Sequence, residues 1–505
     1  KPTNGTWTCA GSGPAHIPVL EWASSEPWLG CAVSSTSARP SPFPVSCIES
    51  IPRSQLSIPL KNSSSRGRRV ALITYGCAKN LVDSEVMLGH LRRAGYEIFP
   101  CPEEADVIIV NTCGFIQTAR EESEEGLEKA IALKKSRSTR TIAVTGCWVE
   151  RFRTELEQKY PMVDVWLGVK DFHHIAEALE RRPFRRGRRT YLLDSETPRL
   201  LSTPPSWAYL KISEGCSHEC AFCAIPLIKG PYRSRSIRSI VAEAEALAER
   251  GIKEINLISQ DTTGFGRDKK REGDLIRLLR RLVEVRGIRW VRMLYGYPEE
   301  VTPELLEIMK EDKICSYLDI PFQHSESRIL KAMRRSMDGR RALRLIEKIR
   351  KALPDAALRT SVIVGFPGEG RAEFRGLKTF IREAGFDHLG VFTYSPEEGT
   401  CAFKLGNPVP EKEKARRRDE IMALQAEIAA SIHTQYRHRR LDVLIESISP
   451  SGKNAAIGRA RFQAPEVDGV VFIERSGPSV SPIRQLEKVE IVATGVYDLR
   501  GRIVR

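Results

Sequence analysis

Three cysteines fall within eight residues, in the run Cys216-Ser-His-Glu-Cys220-Ala-Phe-Cys223. Thiolates are the ligands of iron–sulfur clusters, and three of them satisfy three irons of a cubic [4Fe–4S] cluster. A fourth cysteine at close spacing is missing. The fourth iron is then open, free to bind a small molecule as well as to pass electrons. Structural zinc is the competing reading. Zinc sites favour paired Cys-x2-Cys knuckles and four protein ligands, and this run offers three cysteines.

A second set of thiols is dispersed. The β-rich runs Val70–Thr74, Val107–Val110 and Ile142–Thr145 each lead into a cysteine: Cys77, Cys113 and Cys147. Helical patterns at Ser84–Ala94 and Ala119–Lys134 separate them, so strand and helix alternate. Such alternation implies a parallel sheet with right-handed crossovers. The carboxyl ends of parallel strands share one edge, where α/β folds bind ligands. Three thiols more than thirty residues apart thus meet at that edge, as a second cluster site or as buried structural cysteines. Asn111 and Thr112 beside them are candidates to donate hydrogen bonds to cluster sulfurs.

Those thiols need elements to position them, and the remaining pattern supplies them. From Trp207 a βα series begins, with strands expected at Ala208–Ile212, Glu254–Ser259, Trp290–Leu294, Tyr317–Ile320, Leu358–Val364 and Leu389–Thr393. Six units are too few for a closed eight-stranded barrel and suit an open partial (β/α)6 barrel, with its site at the strand C-terminal mouth. The Cys216 loop follows the first strand and so lies at that mouth. Gln260-Asp261 after the second strand and Gln323-His324 after the fourth place polar groups there too. Val364-Gly365-Phe366-Pro367-Gly368-Glu369 reads as a turn whose glycines admit a close ligand and whose carboxylate accepts from it, or as an ordinary strand-to-helix turn. His324 is given no role.

The full chain of 505 residues has room for several domains, with 41% hydrophobic and 28% charged residues. No apolar run approaches a membrane span. Twelve cysteines without paired spacing point to a reducing compartment and metal ligation rather than disulfides. The net charge of +15 favours a polyanionic partner such as RNA. Residues 1–66 hold 14 Ser and 9 Pro and read as a disordered extension. Residues 67–180 form the expected N-terminal α/β domain and 181–206 a linker. The linker opens with six Arg in the nine residues Arg181–Arg189. The barrel with its trailing helix Glu411–Ile432 occupies 207–436. Residues 437–505 read as a small antiparallel β-barrel of a class that often binds RNA. With 12 Lys+Arg against 8 Asp+Glu from Arg437 onward, that barrel is only mildly basic.

The Cys-x3-Cys-x-aromatic-Cys spacing, with Phe222 as the aromatic, resembles the radical S-adenosylmethionine (SAM) enzymes. That resemblance implies that the open iron chelates SAM, and that one electron cleaves SAM to a radical able to abstract hydrogen from carbon. Phe222, Gln260, Gly365, Gly368 and Glu369 are then the expected SAM-contacting residues.

With two cysteine sets, residues 70–505 resemble the methylthiotransferases: a three-Cys domain, a radical SAM domain and a TRAM-type barrel. The resemblance implies two [4Fe–4S] clusters. Cys77, Cys113 and Cys147 match the ligands of the cluster that carries the methylated sulfur. Tyr75-Gly-Cys-Ala-Lys-Asn80, Val82-Asp-Ser-Glu85, Asn111-Thr-Cys-Gly-Phe-Ile116, Tyr317-Leu-Asp-Ile-Pro-Phe-Gln-His324, Tyr394-Ser-Pro-Glu-Glu-Gly-Thr400 and Ala464-Pro-Glu-Val-Asp-Gly469 resemble the branch that modifies a protein. Its substrate is an aspartate of a small-subunit ribosomal protein, free or within the ribosome. A branch that modifies tRNA adenosines is the alternative, and a non-catalytic, metal-holding RNA-binding protein is a third reading. Glu397 and Glu398 are expected near the mouth, either attracting a basic substrate loop or simply solvated. A reductase or flavodoxin-type electron donor and a cytoplasmic setting complete the expectation. Trp148 departs from the family's usual Leu, a change of packing more than of ligation.

Overall fold

The computed structural model describes residues 67–138, 140–269, 273–448, 454–474 and 483–504, together with a short strand at Ser46–Cys47. The expectation of disorder for residues 1–66 otherwise lies outside the described residues. Ser46–Cys47 pairs antiparallel with Arg69–Thr74.

Arg69–Thr74, Val107–Thr112 and Thr141–Gly146 run parallel and side by side, joined by Val165–Leu167. They are continuous runs of Val, Ile, Leu and Ala, nearly all buried, because helices cover both faces of a parallel sheet. Two apolar layers result. Leu72, Ile109 and Ala143 face one side, while Ile73, Ile108 and Val144 face the other.

The barrel strands are Trp207–Lys211, Glu254–Ile258, Trp290–Met293, Tyr317–Asp319, Ala357–Val364 and His388–Thr393. All pair in parallel within two three-stranded sheets, and a parallel bridge from Val291 to Ile314 links the two. Strand alternation decides which residues face in. Ala208, Leu210, Ile255 and Leu257 pack outward under the helices. Trp207, Tyr209 and Ile258 belong to a different cluster, shared with the N-terminal and C-terminal domains. The Ala78–Arg93 helix packs beside the first barrel strand.

Residues 440–503 close into a five-stranded barrel. Four of its pairings are antiparallel, and Val471–Glu474 pairs in parallel with Leu499–Ile503. The expected small antiparallel barrel is thus present, closed by one parallel pair. Cys101 is disulfide-bonded, which departs from the expectation of metal ligation rather than disulfides. Among the described residues no helix is long and apolar enough to cross a membrane.

Candidate active site

The strand register brings the dispersed thiols together. Thr74 pairs with Asn111, and Asn111 with Thr145, so the three strands end level. Cys77 caps the Ala78–Arg93 helix, Cys113 follows the second strand, and Cys147 opens the Cys147–Lys159 helix. Gly76 has φ of 96°, and a Cβ there would lie 2.9 Å from the Cβ of Cys113. Asn80 ties the edge together, donating to the carbonyls of Tyr75 and Thr112 at 3.0 Å each. Its Oδ1 accepts from the Cys147 thiol at 3.5 Å. Asn111 donates instead to the Asn80 carbonyl and to Ser84, and Thr112 to the Thr145 carbonyl. These two residues brace the edge rather than offering hydrogen bonds to the sulfurs. Cys113 and Cys147 are buried and Cys77 half-buried. Burial pushes the Cys147 thiol up to about 12, with nearby Lys229 opposing, and pushes Cys113 well above its ordinary value.

The contiguous set is held by its neighbours' backbone. Cys216 donates its N–H to Gly230, and Ala221 donates to Met333 at 2.9 Å. Ala402 donates to the Ala221 carbonyl at 2.8 Å. Arg335 donates to the Cys220 sulfur at 3.6 Å and lies over the Tyr297 ring. Tyr297 stacks on His218 at 3.7 Å, and His218 Nε2 is 2.7 Å from Asp261. Burial raises Cys216 to about 11 and Cys223 to about 12. Thiols this reluctant to ionise need a cation to release their protons. Among the described residues no three His, Cys, Asp or Glu groups converge on a single metal ion. A cubane is wider than one ion and takes thiolates set further apart.

The two sets meet. Cys147 shares an apolar cluster with Ala224 and Ile228, directly after Cys223. The Ile225–Lys229 helix, which follows Cys223 in the chain, therefore packs against Cys147. Around it lies a buried ion network across the domains. Asp83 pairs with Lys211 and, at 3.1 Å, with Lys229. Glu214 accepts from Lys211 at 2.9 Å and from Gln260 at 2.6 Å.

The helix that follows one three-cysteine set thus packs against a cysteine of the other. Residues 69–168 match the Uncharacterized protein family UPF0004, residues 210–381 the Radical SAM superfamily and residues 439–504 the TRAM domain. The chain is 46% identical to the ribosomal protein uS12 methylthiotransferase RimO of Aquifex aeolicus (strain VF5), covering 86% of this chain and 97% of that one. It is 43% identical to the RimO of Syntrophus aciditrophicus (strain SB), covering 87% and 99%. This chain belongs to the RimO family. Among solved structures, the radical SAM methyltransferase TsrM from Kitasatospora setae aligns with a TM-score of 0.48 at 14% identity, covering 76% of this chain and 79% of that one.

Within the RimO-family framework, the remaining motif residues acquire definite places. Glu397 is buried and accepts from Arg151 at 2.8 Å, from the Gln117 N–H at 2.9 Å and from Arg120. It clamps the N-terminal domain to the barrel and is closed to a substrate, which corrects its reading as an attractive or solvated acid; Glu398 is exposed. Glu85 is buried against Arg199, which also binds Glu243. The second half of the linker is thus packed between domains, while Arg185, Arg186, Arg188 and Arg189 are exposed. In the Ala464–Gly469 loop, Glu466 accepts from Tyr209 at 2.7 Å. Asp468 accepts from Tyr317 at 2.7 Å and from Arg359 at 2.8 Å. That loop therefore docks the TRAM domain onto barrel strands.

Of the expected SAM contacts, Phe222 packs with Ile329, Leu330, Ile363 and Phe366 beside its own cysteine loop. Gly365, φ 74°, is required by Lys414, whose side chain a Cβ would strike; Gly368 has φ of 93°. Glu369 accepts from the Gly365 N–H at 2.5 Å and from Arg417 at 3.0 Å, so it braces the turn with both oxygens. Gln260 Oε1 and both polar atoms of Asn256 are buried without a partner. Asn256 is an inward residue of the second barrel strand that the sequence reading passed over; its polar side chain within an apolar strand was the available signal. His324 is fully buried and held neutral, its pKa lowered to about 3 by burial.

Proposed function

We propose that this chain is a radical SAM methylthiotransferase that adds a methylthio group to the β-carbon of an aspartate in ribosomal protein uS12. The observation that carries this reading is that the helix following the Cys216, Cys220 and Cys223 set packs against Cys147 of the other set. In it, Cys216, Cys220 and Cys223 hold a [4Fe–4S] cluster beside SAM, and Cys77, Cys113 and Cys147 hold a second one. The donor set fits, since each site offers three thiols, and burial raises those of Cys113, Cys147, Cys216 and Cys223, which a cation would help to ionise. Orphaned polar atoms on Asn256 and Gln260 fit a polar ligand within the barrel.

When bound, the clusters and SAM supply radical activation of carbon and the sulfur that is delivered. The protein's own part is placement. Arg335, donating to the Cys220 sulfur, helps to hold that side chain in place. His218, Asp261 and Tyr297 fix the outer wall of that loop. Asp83, Lys211, Glu214 and Lys229 lock the two sites at one separation. Phe222 and its apolar neighbours keep water from the cofactor side. The turn at Gly365 and Gly368, braced by Glu369, forms part of the SAM-facing wall. The domain division at 67–180, 181–206, 207–436 and 437–505 follows, with the TRAM domain contacting RNA and the modification occurring on uS12 free or within the ribosome. A reductase or flavodoxin-type protein supplies the electron, in the cytoplasm.

The test is an anaerobic reaction of the reconstituted chain with SAM and dithionite, offered uS12 and tRNA together. Mass spectrometry is expected to find the methylthio increment on the uS12 aspartate. An increment on tRNA alone refutes the assignment.

A further inference from the structure

Among the described residues four lysines are buried, and one differs from the rest. Lys211 and Lys229 share Asp83 and Glu214. Lys414 is held by Glu411 at 2.7 Å and by the Tyr394 carbonyl at 2.6 Å. Lys79 is 7% exposed, and among the described residues no carboxylate lies within salt-bridge reach of it. Its Nζ sits 3.2 Å from the centroid of the Tyr295 ring. The Tyr295 hydroxyl and the Cys77 sulfur act on it most strongly; the one carboxylate acting on it, Asp319, is already engaged by the Tyr295 N–H at 3.0 Å and by Arg359 at 3.6 Å. A buried ammonium is stable when an anion accompanies it, and an aromatic face replaces only part of that attraction.

The location says which anion. Lys79 follows Cys77 by two residues, in the first turn of the Ala78–Arg93 helix. Tyr295 follows the third barrel strand and holds φ at 64°, a strained conformation at the barrel mouth. This cation, held by Tyr295 and without a carboxylate partner, thus stands between the strand-end thiols and the barrel interior.

We infer that Lys79 binds the carboxylate of the aspartate that is modified; this rests on the methylthiotransferase reading above. The carboxylate carbon is bonded directly to the β-carbon. Anchoring one therefore fixes the other within a bond length, between the site that activates carbon and the site that delivers sulfur. Lys79 is then a specificity residue as well as an anchor. An amide at the target position leaves the ammonium buried and unpaired, which the protein pays for in binding.

The experiment measures binding of fluorescent uS12 peptides, carrying Asp or Asn at the target position, to the cluster-loaded chain. Wild-type protein is expected to prefer the Asp peptide by about tenfold or more. Lys79→Met should bind both peptides alike, and Lys79→Arg should restore part of the preference. Equal binding of the two peptides by the wild type overturns the inference without any variant being needed. So does an Asp preference that survives in Lys79→Met, even where that variant has lost iron; Lys79 would then only balance cluster charge. Failure of the underlying reading looks different: the wild type then modifies tRNA and leaves the Asp peptide unmodified.

Discussion

The two cysteine sites reach similar ends by opposite routes. Cys216, Cys220 and Cys223 are neighbours in sequence, and a single loop positions them all. Cys77, Cys113 and Cys147 are neighbours only because three parallel strands end level. The first set is local and tolerates change elsewhere in the fold. The second depends on the register of a whole sheet and on Asn80, Asn111 and Ser84, which bind the edge together. The contiguous loop also lies nearer the surface, with all three cysteines half-buried, whereas Cys113 and Cys147 are buried.

The comparison breaks most cleanly at the cysteines themselves. Cys220→Ala is expected to drop both reductive SAM cleavage and methylthio transfer to background. Cys147→Ala should lose transfer while SAM cleavage persists, as read by chromatography of the cleavage products. Equal loss of both activities in the two variants would mean that the sites are not separate.

The next effect concerns what holds the sites at one distance. Asp83→Ala leaves Lys211 and Lys229 with Glu214 alone, a buried pair broken at a cost of about 3–5 kcal/mol. Denaturant titration measures it. Gly365→Ala should cost less, about 1–3 kcal/mol, because it strains a left-handed residue and crowds Lys414.

A smaller effect is set by pH. Burial pushes the Glu214 pKa up, but Lys211 and Lys229 overrule it and hold it at about 2, below the ordinary 4.5. A depressed carboxylate contributes its full stability above pH 4.5 and loses it as pH falls toward 2. Thermal melts across that window should flatten in Glu214→Gln relative to the wild type.

How much was legible in the sequence follows the same division. The loop cysteines declared themselves by spacing, and the strand-end cysteines by their place after β-rich runs. The barrel strands were readable because buried parallel strands are short apolar runs between helical patterns; the helix Arg371–Ala384 begins and ends where its pattern does. Partners across domains were not readable. Nothing in the local pattern of Tyr394–Thr400 shows that Glu397 is matched by Arg151, which lies 246 residues earlier. Nor does Val82-Asp-Ser-Glu85 show that its acids pair with Lys211, Lys229 and Arg199. Lys79 stands within a sequence motif, but that it is buried without a carboxylate partner is visible only in the packed structure. The parallel pair that closes the TRAM barrel escaped for a related reason: pairing direction depends on which strands meet, not on their composition.

Metal content of three proteins tests the two-site account most directly: the wild type and two triple alanine variants, one at Cys77, Cys113 and Cys147, the other at Cys216, Cys220 and Cys223. After anaerobic reconstitution the wild type is expected to hold about eight irons with matching sulfide, and each variant about four. Zinc in place of iron, or a variant that loses all its iron or none of it, would contradict the account.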